Sequence, residues 1–301
     1  MLGLTGATGY IGRALLPALQ SAGCTVTTVG RRPVGADIPH RQLDLRSAAG
    51  YRDALVDMQS LIHCAGVAHN LGGASDYELV NRRATVSLAD AALSTGCQHF
   101  VFISSLNVVS AGAMDAEAPA RRLPRPNDHY ARSKWETEQQ LEALLAGSDT
   151  RLTIIRPALV YDRELVANLA VLERWLSRIP VTLPAVGRRC MVSRPDLVAE
   201  IVGSLGTEAG SLRRIAVTDG ECYDLKRIGR VLGGGLKVGV PVPALVLKLV
   251  SALRDRWSGL PGGTTWTGLA GDKWCARGSR DLPITPRLTL EQCLSQSPGD
   301  S

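Results

Sequence analysis

The sequence predicts an α/β fold, a doubly wound parallel sheet followed by a smaller C-terminal lobe. Three observations carry this expectation. Short β-like runs alternate with helix-length segments through the first half, a glycine-rich turn joins the first run to the first helical segment, and the regularity weakens after Arg156-Pro157. Strands alternating with helices imply right-handed crossovers and therefore parallel pairing. The boundary falls between residues 1–160 and 161–301, and it is soft, since strands of the second part are free to return to the main sheet.

Each element has its own signal. Met1–Leu4 is a short apolar run, and Ile11–Ser21 has helical apolar spacing. Thr25–Val29 is β-branched, and Leu61–Cys64, Phe100–Ile103 and Leu152–Ile155 repeat the strand pattern. Helix-length segments lie around Ala84–Ser94 and Tyr130–Leu145, while Gly112–Asn127, rich in Pro, Ala and Arg, reads as a loop over the carboxyl edge of the sheet. In the second half, helical spacing marks Glu164–Leu176, Asp196–Leu205, Asp224–Leu232 and Ala244–Trp257. The last of these has an apolar face suited to a membrane surface, to a dimer interface or to burial within the lobe.

Composition bounds the function. With 45% hydrophobic and 21% charged residues in 301, the chain can bury a substantial core, which excludes a mostly disordered protein. Lys+Arg exceed Asp+Glu by 34 to 28, for a formal charge of +6, and only five of the 34 are lysine. Arginine's planar fork suits phosphate, so nucleic acid, an anionic membrane and a phosphorylated small molecule are the partner classes to separate. Arg121, Arg122 and Arg125 are not interleaved with aromatic residues, which argues against nucleic acid. The seven cysteines are scattered singly, predicting free thiols in a reducing, cytoplasmic setting. No basic segment precedes the first apolar run, Val240–Leu253 is too short to span a bilayer, and no Cys/His cluster suggests a metal.

Thr5-Gly6-Ala7-Thr8-Gly9-Tyr10-Ile11-Gly12 lies between the first strand and the first helix. Glycines at this spacing permit a tight turn, a close approach to a pyrophosphate, and tight helix–strand packing, while the helix N-terminus directs unpaired N–H groups at the phosphates. Gly6, Thr8, Gly9, Tyr10, Ile11 and Gly12 are the candidate cofactor residues of this turn. Dinucleotide folds that prefer NAD usually place an acid at the end of the second strand; Gly30-Arg31-Arg32 stands there instead. Arg31 and Arg32 suit a 2′-phosphate, so NADP is the expected cofactor and NAD the alternative.

Tyr130 and Lys134 lie four apart at the start of a helical segment and so share a face. A nearby ammonium would favour the phenolate of a tyrosine and bring it toward working range. Ser104 and Ser105 end a buried strand at the edge where doubly wound sheets bind ligands, and either could polarise a substrate oxygen.

The sequence here resembles the extended short-chain dehydrogenase/reductases, in the branch of nucleotide-sugar epimerases, dehydratases and reductases. Thr5 to Gly12 matches T-G-x-x-G-x-x-G, Tyr130 with Lys134 matches Y-x-x-x-K, and Ser105 falls on the third catalytic position. The resemblance implies that Asp44-Leu45 holds the adenine and that Cys64, Ala65 and Gly66 form a strand end beside the cofactor. It also places Asn81 near the cofactor and Arg156-Pro157 in the turn after the sixth strand, Pro157 touching the cofactor. Asn168 and Arg189, the latter seven residues before Asp196, would reach the substrate's diphosphate, and Asn107 would join Ser105 on the substrate side. The segment 280–294 resembles a degraded form of the family's closing segment. Dimerisation through two helices, one of them Tyr130–Leu145, is a further implication.

Departures from the family choose among its reactions. The dehydratases carry Asp-Glu after the catalytic Ser/Thr, where this chain has Leu106-Asn107. With Gly30-Arg31-Arg32 favouring exchangeable NADPH, reduction of a 4-keto sugar nucleotide is the leading expectation. A nucleotide-sugar 4-epimerase and a non-catalytic NADP-binding sensor or assembly protein stand as alternatives.

Overall fold

The computed structural model describes residues 1–47, 49–69, 71–179, 181–206, 211–233, 239–257, 264–275 and 288–295. Its strands are β1 Leu2–Thr5, β2 Val26–Gly30, β3 His40–Gln42, β4 Ser60–His63, β5 His99–Ile103, β6 Arg151–Pro157, β7 Leu159–Tyr161, β8 Val181–Thr182, β9 Arg189–Ser193, β10 Leu212–Val217, β11 Cys222–Tyr223 and β12 Val240–Pro241. The helices are α1 Tyr10–Ser21, α2 Tyr51–Leu55, α3 Ala74–Asp76, α4 Thr85–Ser94, α5 His129–Leu144, α6 Ala167–Leu176, α7 Arg194–Gly203, α8 Leu225–Leu232, α9 Ala244–Trp257, α10 Thr264–Ala270 and α11 Leu290–Ser295. A π-helical segment, Tyr77–Ala84, joins α3 to α4.

One compact unit comprises Met1–Pro157 with Leu197–Val217. Its seven-stranded sheet runs β10-β6-β5-β4-β1-β2-β3, every pair parallel. The strand order reverses at β1, which opens the crevice where doubly wound sheets take ligands. The central strands read as continuous apolar runs because both faces are covered: Leu4, Leu61, Phe100, Phe102, Ile154 and Ile155 are buried. The edge strand β3 is short and polar, His40-Arg41-Gln42, so no apolar run announces it. The sixth strand is longer than expected. Arg156 and Pro157 pair with Ala216 and Val217 inside β6, whereas the resemblance placed them in the turn that follows.

A second unit comprises Ala158–Asp196 and Thr218–Ser301. It holds a three-stranded sheet in the order β11-β9-β7 and a two-stranded pair, β12-β8. Its core gathers Tyr161, Leu169, Met191, Tyr223, Leu225 and Ile228. The Tyr161 and Tyr223 hydroxyls both donate to Asp219 Oδ2, at 2.8 and 2.7 Å.

Cys222 and Cys275 form a disulfide in this unit. That corrects the expectation of unpaired thiols. The partners lie 53 residues apart in no recognisable spacing, so sequence carried no sign of the bridge.

Candidate active site

The glycine turn is shaped by contacts that admit no side chain. Gly6 adopts φ +71°, and a Cβ there would stand 2.6 Å from the Ala65 nitrogen. A Cβ on Gly12 would stand 2.1 Å from the Gly6 carbonyl oxygen. The first turn of α1 therefore packs against the loop, and Gly9, its N-cap, has no side chain to cap the first-turn N–H groups. Thr8 and Gly9 are exposed, with Tyr10 and Ile11 half-buried beside them. These donors, with no capping side chain to occupy them, fit a pyrophosphate.

A chain of buried hydrogen bonds fixes the neighbouring strand ends. The Ala65 N–H donates to Thr5 Oγ1 at 3.3 Å, Thr5 Oγ1 meets His63 Nδ1 at 2.7 Å, and His63 Nε2 meets Thr85 Oγ1 at 2.9 Å. Burial first, and the Lys134 charge second, push His63 down to about 3, so its ring is neutral. A proton on Nε2 completes the chain, with Thr5 donating to Nδ1. Asn81 holds the next residues: its Oδ1 accepts from the Val67 N–H at 2.7 Å and its Nδ2 donates to the Val67 carbonyl at 2.9 Å. The π-helical turn carries Asn81 fully buried, and its Oδ1 would stand 3.0 Å from a Cβ on Gly66. Asn81 thus positions the Cys64–Val67 loop.

Ser105, Tyr130 and Lys134 belong to this same unit. Ser105, buried, accepts from the Asn107 N–H at 3.2 Å and hydrogen-bonds Tyr130. Asp128 caps α5 by accepting from the Ala131 N–H at 2.8 Å, which sets the first turn carrying Tyr130. Edge-on contacts from His69 and Tyr77, at 5.4 and 5.7 Å between ring centroids, hold the Tyr130 ring. Lys134 is buried, donates to the Ile103 carbonyl at 2.8 Å, and lies 4.7 Å from the Phe102 ring centroid.

The electrostatics differ from the sequence expectation. Burial pushes Tyr130 up to about 12, with the Ser105 hydrogen bond opposing it and Tyr77 and Asp128 adding to it. Lys134 falls to about 8, chiefly through burial. Desolvation dominates at both groups, and the ammonium is turned to the Ile103 carbonyl. At neutral pH the site presents a protonated phenol.

Sequence reasoning missed the layer behind this site. Glu138, four residues after Lys134 on α5, receives Ser104 Oγ at 2.5 Å and pairs with Arg156. Ser104 is thereby committed to the carboxylate, leaving Ser105 as the serine beside Tyr130. The i+4 spacing from Lys134 was the available signal for Glu138; Tyr77 had none.

Other candidates are placed less centrally. Arg31 and Arg32 follow β2 and are exposed, and among the described residues neither guanidinium has a hydrogen-bond or ion-pair partner. Asp44 is exposed and accepts from the Arg46 N–H, while Leu45, half-buried, offers its carbonyl to Tyr51. Burial raises Cys64 to about 12, making it an inert thiol. The side chain of Asn168 lies outside the described residues, as does most of 280–294. Arg189 is engaged by backbone carbonyls of its own unit. Its guanidinium donates to the Gly187 carbonyl at 3.0 Å, to Gly268 at 3.3 Å and to Leu269 at 2.5 Å, capping the end of α10. Within the second unit, then, this arginine serves backbone carbonyls. Among the described residues no cluster of His, Cys, Asp or Glu is suited to a metal.

A parallel seven-stranded sheet with a glycine turn after β1 and a Ser-Tyr-Lys set just after β5 and on α5 defines an extended short-chain dehydrogenase/reductase. The chain belongs to the NAD dependent epimerase/dehydratase family, whose sequence model matches residues 3–179. It is 30% identical over 266 residues to a UDP-glucose 4-epimerase of Vibrio cholerae, covering 83% of this chain and 81% of that protein. It is 26% identical over 275 residues to a ceramide reductase of Caulobacter vibrioides, covering 86% and 79%. Its fold is that of the UDP-glucose 4-epimerase of Thermus thermophilus in complex with NAD (TM-score 0.69, 18% identity, 97% of each chain covered). The UDP-N-acetylglucosamine 4-epimerase of Bacillus cereus is similar in fold to the same degree (TM-score 0.71, 15% identity, 97% and 93%).

Proposed function

We propose that the protein is an NADPH-dependent reductase of a ketone carried on a nucleotide sugar, most simply a 4-keto sugar. The observation that carries this reading is the pair of exposed guanidinium groups at Arg31 and Arg32, without partners among the described residues, where an acid would select NAD. In this reading the glycine turn and the N-terminus of α1 hold the pyrophosphate, Arg31 and Arg32 the 2′-phosphate, Asp44 and Leu45 the adenine side, and Ala65, Gly66 and Pro157 the nicotinamide side. Bound there, the cofactor supplies the hydride.

The chain's own residues supply the proton. Tyr130, protonated at neutral pH, delivers it to the carbonyl oxygen, and the Ser105 hydroxyl donates a hydrogen bond to that oxygen. Lys134, on the same face of α5, offsets the negative charge that the phenolate acquires. Asn107 would contact the substrate beside Ser105; phosphate binding by Arg189 would require that arginine to exchange its carbonyl partners.

The 4-epimerase reading is favoured by the Vibrio cholerae relative, and net reduction, on a lipid rather than a nucleotide sugar in that protein, by the Caulobacter vibrioides ceramide reductase. Incubation with NADPH and a 4-keto-6-deoxy sugar nucleotide separates them. Stoichiometric NADPH oxidation is expected; interconversion of 4-epimers without net cofactor consumption would establish the epimerase. Stable NADPH binding with no turnover on a sugar-nucleotide panel would favour a sensor.

A further inference from the structure

We infer that α9 docks the protein onto an anionic lipid bilayer. The helix is amphipathic in the inverted sense. Leu245, Val246, Leu249, Val250, Leu253 and Trp257 fall within one sector of about 140° at the 3.6-residue repeat, and all are exposed. Leu245 and Leu253 are each 67% exposed and Trp257 is 97% exposed. The opposite side turns Ser251 and Asp255 inward, both buried. A face with this composition ordinarily packs into a core, and the sequence alone left that option open. The structure leaves it facing outward, with Val240 of β12 beside it in the chain and equally exposed.

Charge identifies the occupant. Asp255 is the sole acid of α9, and it is buried. Lys248, Arg254 and Arg256 are all exposed, and among the described residues none has an ion-pair partner. An apolar sector flanked by Lys248 and Arg254, with Arg256 at its C-terminal end beside an exposed tryptophan, and with no ion-pair partner for these cations among the described residues, matches a headgroup layer that carries negative charge. A second copy of this chain fits less well. Two-fold pairing of the same faces would gather the exposed cations of both copies in one interface with no exposed acid of α9 to offset them, in a protein whose formal charge is already +6. The helix lies on the surface and does not cross it, since no described helix is long and apolar enough to span a bilayer. This inference is independent of the reaction proposed above.

The test is sedimentation of the full chain with vesicles of phosphatidylglycerol and phosphatidylcholine in equal parts, against phosphatidylcholine alone. Binding to the anionic vesicles, weakened by salt, is expected, with a blue shift of tryptophan emission that is lost in Trp257→Ala. Lys248→Gln, Arg254→Gln and Arg256→Gln should each weaken binding about fivefold. Leu249→Glu with Leu253→Glu should abolish it while leaving the circular dichroism spectrum unchanged, because both side chains are exposed. Equal binding to neutral vesicles, or no binding to either, would overturn the inference. So would a dimer in light scattering that the Leu249→Glu, Leu253→Glu protein no longer forms.

Discussion

The Arg156 guanidinium grips the Glu138 carboxylate through two hydrogen bonds, Nε to Oε1 at 3.1 Å and Nη2 to Oε2 at 2.5 Å, with both side chains fully buried. Its remaining nitrogen donates to the Ala116 and Ala118 carbonyls at 2.7 and 2.9 Å. One pair therefore joins β6, α5, the loop of residues 112–127 and, through Ser104, the end of β5. Removing one partner leaves an uncompensated buried charge, which costs about 3–5 kcal/mol. Glu138→Gln and Arg156→Met should each lower unfolding stability by that order in denaturant titration, and the double variant by less than their sum. Additive losses would mean that the two do not act as a pair.

The glycine turn makes a steric prediction. With 2.1 Å between a Cβ on Gly12 and the Gly6 carbonyl oxygen, Gly12→Ala must move α1 or the loop. Dinucleotide binding should be lost by calorimetry, at a stability cost of about 1–3 kcal/mol. Gly147, where a Cβ meets nothing, is the comparison site: Gly147→Asn should leave binding unchanged, Asn being the side chain best tolerated at its positive φ.

Two pH dependences follow from burial. His63 and His99 are held near 3 and 4, below the ordinary histidine value, so the unfolded chain binds protons that the native one refuses. The stability they contribute is complete above about pH 6.5 and drains as pH falls toward those values, by up to about 1.4 kcal/mol per pH unit for each histidine. His63→Gln should lower the midpoint at neutral pH but flatten the acid slope. In kinetics, Lys134 loses its charge above about 8, so kcat/KM, which reports the free enzyme, should decline through that pH.

The Cys222–Cys275 bridge closes a loop of 53 residues, worth about 4 kcal/mol in the chain-entropy account. Dithiothreitol or Cys222→Ser should destabilise the unfolding transition of the second unit while leaving dinucleotide binding intact. An unchanged transition would mean that the bridge contributes nothing.

Legibility followed the kind of interaction. The strands of the main sheet declared themselves because burial on both faces demands unbroken apolar runs, as in Phe100–Ile103. The glycine turn was equally plain, since Gly12 is required by a local backbone approach. The Glu138–Arg156 pair and the Asn81 clasp on Val67 were not, because their partners lie 18 and 14 residues away, and sequence records no such distances. The direction of the Tyr130 shift was read wrongly for a related reason: the i+4 spacing revealed the ammonium but not the desolvation that outweighs it. The α9 residues were assigned to a helix correctly, with identical bounds, yet only the structure showed which way its apolar face points.

Delivery of a proton by Tyr130 to a ketone is the step on which the proposed reaction turns. Its most direct measurement is single-turnover NADPH oxidation by Tyr130→Phe with a 4-keto sugar nucleotide, monitored beside NADPH affinity. Unchanged affinity and a rate lower by about 10²–10⁴-fold are expected. Oxidation within a few-fold of the unaltered protein would contradict that role.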